Sequence, residues 1–256
     1  MTYQNVFKRY ELKYMITKDQ KRSLYKAMNE YMEPDQFGKS TIRNIYYDTP
    51  DKLLIRKSLE KPKYKEKLRV RSYGLAKPDS KVFVEIKKKY DGIVYKRRME
   101  LEEKIATNYL VKHIPLEEKT QISREIDYLM STYGRVEPSI FLSYNREAYA
   151  SKEDPNFRMT FDENIVTRDY DLDLTSGIYG ENDLLEGQVI LEVKTAMGIP
   201  KWLLDFFSKN KIYKTSFSKY GNAYEKFILP QIFKNNSLDR KDPRDIIYIG
   251  GLKDAV

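Results

Sequence analysis

The stretch Lys67-Leu68-Arg69-Val70-Arg71-Ser72-Tyr73 decides the fold of this chain. Side chains along a β-strand point alternately to opposite faces. Lys67, Arg69 and Arg71 therefore share one face, and Leu68 and Val70 take the other. The same alternation returns downstream. Over 82–89, Glu85, Lys87 and Lys89 oppose Val84 and Ile86; over 94–101, Lys96 and Arg98 alternate with Tyr95, Arg97 and Met99. Tyr144 and Arg146 share a face over 140–149. Arg158, Thr160 and Asp162 oppose Phe157, Met159 and Phe161, and Glu192 and Lys194 oppose Leu191 and Val193.

One strand with a charged face is ordinarily a surface strand. Six of them, gathering arginine and lysine on their polar faces with a few isolated carboxylates, are a different matter. If the sheet closes, one face must line an interior. Buried unpaired charge is costly, so such an interior has to be wet and has to hold a strongly charged ligand. A lining of Arg and Lys calls for a polyanion.

The elements follow from periodicity. Strands are predicted over 43–47, 67–73, 82–89, 94–101, 140–149, 157–164 and 189–195, with Tyr90-Asp91-Gly92 as a hairpin link. Helices are predicted over 17–32, capped by Thr17, in pieces over 100–126 around Pro115, and over 202–210 and 220–227. The fold class is α+β, an antiparallel barrel or strongly curved sheet with flanking helices. No repeat or linker divides the chain, so residues 1–256 read as one domain, with a core over about 5–230 and a C-terminal tail over 231–256.

Composition narrows the chemistry. The 256 residues carry 47 Lys and Arg against 38 Asp and Glu, a net charge of +9, which points to an anionic partner. There is no cysteine, which removes thiolate metal sites, disulfides and cysteine nucleophiles. The lone histidine, His113, makes a Ser-His-Asp triad and a His-rich zinc site poor readings. No stretch nears the ~18–20 apolar residues of a membrane span, so a cytoplasmic setting is expected. P-loop, GxGxxG and kinase motifs are absent. Nucleic acid is not the expected partner, because the 22 tyrosines sit mostly at core-like spacing rather than among the basic residues.

Nine motifs in chain order carry a resemblance: FKRYELKY, IRNIYYDTPDKLL, KLRVRSYG, VFVEIKKK, VYKRR, SYNREAY, FRMTFD, VILEVKTA and SFSKYGNAY. Together, over residues 5–230, they resemble the VTC domain of polyphosphate polymerases within the triphosphate tunnel metalloenzyme superfamily. The resemblance implies an eight-stranded antiparallel barrel around a basic tunnel. It implies that Lys13, Arg69, Arg71, Lys87, Arg146 and Glu192 carry the chemistry. Lys96, Arg98, Tyr144, Arg158, Lys194, Ser218 and Lys219 would bind phosphate, and Glu192 would hold Mn²⁺ or Mg²⁺. The related CYTH branch opens with ExExK; here Arg9 stands at the first glutamate position, and Glu11 at the second reads as a charge partner for nearby lysine or arginine.

The activity so implied is transfer of the γ-phosphate of ATP to a growing polyphosphate chain. ADP leaves, and the product threads out through the far mouth. A tripolyphosphate hydrolase and a non-catalytic polyphosphate-binding subunit are the alternatives. VTC relatives work with membrane proteins, so any membrane link at the inner face would come through a partner, with the tail as one candidate contact.

Overall fold

The computed structural model describes residues 6–7, 10–91 and 93–233. Eight long antiparallel strands dominate it: β2 (Tyr10–Thr17), β3 (Met32–Asp48), β4 (Tyr64–Tyr73), β5 (Lys81–Tyr90), β6 (Ile93–Glu102), β7 (Glu137–Ser151), β8 (Arg158–Arg168) and β10 (Gln188–Thr195). Three two-residue strands join them: β1 (Val6–Phe7), β9 (Glu181–Asn182) and β11 (Lys214–Thr215). Pairing runs β1-β6-β5-β4-β3-β7-β8-β10-β2-β11, with β9 on β8.

The expected closed barrel is corrected in one respect. The count of long strands is right, but among the described residues no ladder joins β6 to β2, so the pairing is an open path. The N-terminal segment changes partner instead, laying β1 on β6 and β2 on β10 at opposite ends of that path. Side chains reach across the same gap, since Lys87 of β5 lies 3.6 Å from Glu11 of β2.

The helices cover the outer face. Helices α3 (Glu103–Leu110) and α4 (Gln121–Tyr133) bury Leu68, Val70, Val84 and Ile86 under Tyr109, Leu110, Ile126 and Leu129. Helices α1 (Lys18–Met28) and α5 (Lys201–Lys209) cover β2, β8 and β10 through Leu24, Met28, Leu203 and Phe207. Thr17 caps α1 as expected: its hydroxyl accepts from Gln20 N–H, and the Gln20 side chain accepts from Thr17 N–H. The helix stops at Met28 rather than 32, because Met32 is already strand. With Leu68 fully buried, Leu68→Ala should cost about 2–5 kcal/mol. A urea midpoint equal to wild type would invert the assignment of faces.

Several features depart from the sequence reading, among them β3, which begins at Met32 where the strand is expected from 43. Helix α2 (Leu53–Leu59) was not predicted, and neither was β2 as a strand. The helical reading over 100–126 shifts: β6 runs to Glu102, and α3 and α4 flank the Pro115 segment. Two basic side chains are buried on the outer face. Arg43 donates to Ser176 C=O, and Arg168 donates to the carbonyls of Tyr170, Asp171, Gly177 and Tyr179, with both guanidiniums over Phe141. This pair pins the long connection between β8 and β10. The tail reading falls, from residue 234 on, outside the described residues.

Candidate functional site

Register places the charges on one inner face. Tyr46 pairs with Arg69, Arg69 with Glu85 and Glu85 with Arg98; Lys67 pairs with Lys87 and Lys87 with Lys96. On the other wall, Arg146 pairs with Asp162, Thr160 with Glu192 and Glu192 with Lys13. From the C-terminal segment, α6 (Lys219–Ala223) and a π-helical turn (Tyr224–Ile228) enter where β3 ends and β4 begins. Tyr220 donates to Asp48 at 2.7 Å and stacks on Tyr46 at 4.6 Å. Tyr220, Ala223, Tyr224 and Ile228 share one buried apolar cluster with Ile140, Leu142 and Ile190 of the inner face. This apolar packing fills one end of the lined space, which the expectation of two open mouths did not include.

Four carboxylates organise the cations. Glu85 accepts from Arg69 Nε at 2.7 Å and lies 2.5 Å from Lys96 Nζ and 3.9 Å from Arg71 Nε. Asp162 takes a two-pronged grip from Arg146, with both bonds 2.6 Å, and a third contact from Lys219 Nζ at 2.5 Å. Glu192 accepts from Arg146 and Lys219, each at 3.1 Å, with Lys13 at 3.7 Å and Lys194 at 3.9 Å. Glu11 lies 3.8 Å from Lys13 and 3.6 Å from Lys87. It pairs with lysines, as a charge partner should, and does so on the inner face.

Hydroxyls complete the lining. Tyr144 OH accepts from Arg71 at 3.3 Å, and Lys219 Nζ sits 4.7 Å from the Tyr144 ring centroid. Ser218 Oγ accepts from Lys67 at 3.2 Å and from Gly221 N–H at 3.1 Å, so it caps α6 while facing the cations. The structure thus brings together Lys13, Arg69, Arg71, Lys87, Lys96, Tyr144, Arg146, Glu192, Lys194, Ser218 and Lys219. Arg98 shares the face and stacks over Phe83 at 4.7 Å. Arg158 does not join the ring: it pairs with Asp35 of β3. Sequence reasoning left out Lys67, Tyr46, Glu85 and Asp162 as site residues. Their parity was visible, but only the register shows which charges they meet.

Crowding sets the protonation. Burial opposes ionisation of Glu85, and Arg69, Arg71 and Lys96 overcome it, holding the carboxyl below its usual range. Burial likewise works against Glu192, and Lys219, Arg146 and Lys13 hold it well down. Desolvation pushes Lys96 down to about 7 and Lys67 down to about 8, and Tyr46, beside Arg69 and Lys67, falls to about 8 although burial resists it. A bound polyanion favours the charged lysines, so they take up protons when it binds. Tripolyphosphate affinity should therefore fall as pH rises from 7 to 9, with proton uptake on binding measurable by calorimetry in buffers of different ionisation heat. Constant affinity across that window would exclude a role for these lysines.

The donor set suits a hard cation. The acids are oxygen ligands without nitrogen or sulfur companions, the chemistry of Mg²⁺ or Mn²⁺. Glu192 and Glu11 sit diagonally on neighbouring strands. The Thr160 hydroxyl, directly opposite Glu192, is buried without a hydrogen-bond partner. Among the described residues no group of three or more His, Cys, Asp or Glu could hold a metal ion, so an ion here would complete its shell from phosphate and water. No helix among the described residues is long and apolar enough to cross a membrane.

Two solved structures share this fold. A Bacillus halodurans protein provisionally assigned as an adenylate cyclase aligns at TM-score 0.55 and 14% identity, over 88% of this chain and 99% of its own. HpAC1 from Hippeastrum, described as having a dominant triphosphatase activity, aligns at TM-score 0.51 and 18% identity, over 84% and 94%. No curated protein matches the chain. The VTC domain model matches residues 8–228, the span that holds every strand from β2 to β11 together with α6, and so the chain belongs to the VTC domain family.

Proposed function

We propose that this protein transfers the γ-phosphoryl group of ATP to the end of an inorganic polyphosphate chain held in the lined space. The observation that supports this is the charge ratio of the inner face. Among the residues gathered above, ten are cations (Lys13, Lys67, Arg69, Arg71, Lys87, Lys96, Arg98, Arg146, Lys194 and Lys219) and four are carboxylates. That is a formal excess of six charges, and a linear polyanion would balance it.

Phosphoryl transfer asks little covalent chemistry of a protein; it needs positioning and neutralised oxygen charge. Arg69, Arg71 and Arg146 offer planar forks for pairs of phosphate oxygens, and the lysines act as point charges. The terminal phosphate of the acceptor is already an oxyanion, so no general base is required, in keeping with a single histidine on an exposed loop. Glu192, with Glu11 beside it, would hold the divalent metal, which when bound neutralises charge on the transferring phosphate.

A second reading has a structural observation in its favour. The apolar packing of α6 fills one end, and a chamber with one mouth suits hydrolysis of a short triphosphate better than threading of a long product. The triphosphatase activity of HpAC1 points the same way. Incubation with ATP and Mn²⁺, followed by gel separation of the products, decides between them. Long polymer is expected; orthophosphate alone would sink the polymerase reading and leave the hydrolase, and no product from an ATP-binding protein would leave a binding subunit.

A further inference from the structure

The inner face of β4 does not end in a charge. Two residues beyond Arg71, on the same face, stands Tyr73, the last residue of the strand, with 47% of its surface exposed. Phe83 of β5 lies directly opposite Arg71 and meets the Tyr73 ring edge-on, 5.7 Å between centroids. The Arg98 guanidinium covers Phe83 at 4.7 Å. Just past Tyr73 the backbone is tied down: Gly74 N–H donates to Thr41 C=O at 2.8 Å, and Ser72 Oγ donates to Gly74 C=O at 2.9 Å. These rings stand at the end of β4 away from α6, which enters where β4 begins.

We propose that Tyr73, backed by Phe83, is a stacking platform for the base of a nucleoside triphosphate whose phosphates lie along Arg71 and Arg69. This rests on the reading of the lined space as a phosphate site. Two strand residues advance the chain by about 7 Å, which leaves a ribose-sized interval between the Arg71 level and the Tyr73 ring. The order along the strand, ring then guanidinium then guanidinium, matches the order of parts in a nucleoside triphosphate. An exposed ring held edge-on by a neighbour and fixed at its backbone offers a flat face with little ordering cost. Stacking uses the π-face that every base has, so the platform selects nucleotides over inorganic triphosphate without choosing between adenine and guanine.

The test compares two probes on the full chain by calorimetry without divalent metal: the β,γ-imido analogue of ATP, and inorganic tripolyphosphate. Tyr73→Ala should weaken the nucleotide analogue about tenfold and leave tripolyphosphate unchanged. Tyr73→Phe, which keeps the ring, should bind both as wild type does, and the analogues of ATP and GTP should bind alike. If Tyr73→Ala binds the nucleotide analogue as well as wild type does, or loses both ligands in parallel, the platform is overturned while the phosphate site stands. If wild type binds neither probe, the phosphate-site reading falls and takes the platform with it.

Discussion

Arg146→Ala is expected to cost about 3–5 kcal/mol of stability and most of the affinity for tripolyphosphate. Asp162 is fully buried, and Arg146 grips both of its oxygens at 2.6 Å while a further nitrogen contact reaches Glu192 at 3.1 Å. Removing the guanidinium leaves the buried Asp162 with Lys219 alone. Arg146→Lys keeps the charge but loses the fork, so it should fall between alanine and wild type. A second signature lies in acid. Burial opposes ionisation of Asp162, and Arg146 and Lys219 overcome it, holding the carboxyl below its usual range. A depressed carboxyl contributes stability above its unfolded pKa, near ~3.9, and that contribution is lost as pH falls toward the folded value. Without Arg146 there is less to lose, so the acid limb of the stability curve should flatten. A urea midpoint and an acid limb matching wild type would show that Asp162 is not held as described.

The sequence showed the two-residue alternation well because alternation is local. In β4 and β5, the outer residues Leu68, Val70, Val84 and Ile86 are all buried under helices, and the inner ones carry the charge. What it did not show is what depends on neighbours far along the chain. The Arg146–Asp162 pair and the Arg69–Glu85 pair become visible only once register brings β7 to β8 and β4 to β5. The filling of one end by α6 did leave a trace that went unread. Ile140-Phe141-Leu142 and Val189-Ile190-Leu191 are apolar on both faces, and a strand apolar on both faces is buried on both. Phe141 and Leu191 serve the outer layers, while Ile140, Leu142 and Ile190 meet α6. Arg43 and Arg168 are basic yet buried on the outer side, where carbonyls and the Phe141 ring take the place of a counter-ion. Alternation with Asn44 and Tyr46 already turns Arg43 outward, whereas Arg168 reaches the outer side through the register shift between β7 and β8 near Ser143, which no local pattern announces.

Glu192→Gln is expected to lower metal-dependent turnover by about a hundredfold or more, the scale of removing one group that stabilises transferring charge, while leaving tripolyphosphate bound. An acid amid Lys13, Arg146, Lys194 and Lys219 opposes a polyanion unless a cation lies between them. The competing account is that Glu192 only neutralises those four side chains. The two accounts agree that the variant loses ion pairs and some stability, so a melting curve does not separate them. They disagree about metal and about binding. If Glu192 holds a metal, glutamine removes the charged ligand and the rate should no longer rise with Mn²⁺ as in wild type. Without metal, tripolyphosphate should then bind the variant more tightly, because one negative charge has left the face. If Glu192 is only a counter-ion, binding still tightens, but turnover stays within a fewfold and its Mn²⁺ dependence is unchanged. Rates measured against Mn²⁺ concentration for both proteins decide the matter, and superimposable curves would end the assignment of Glu192 as a metal ligand.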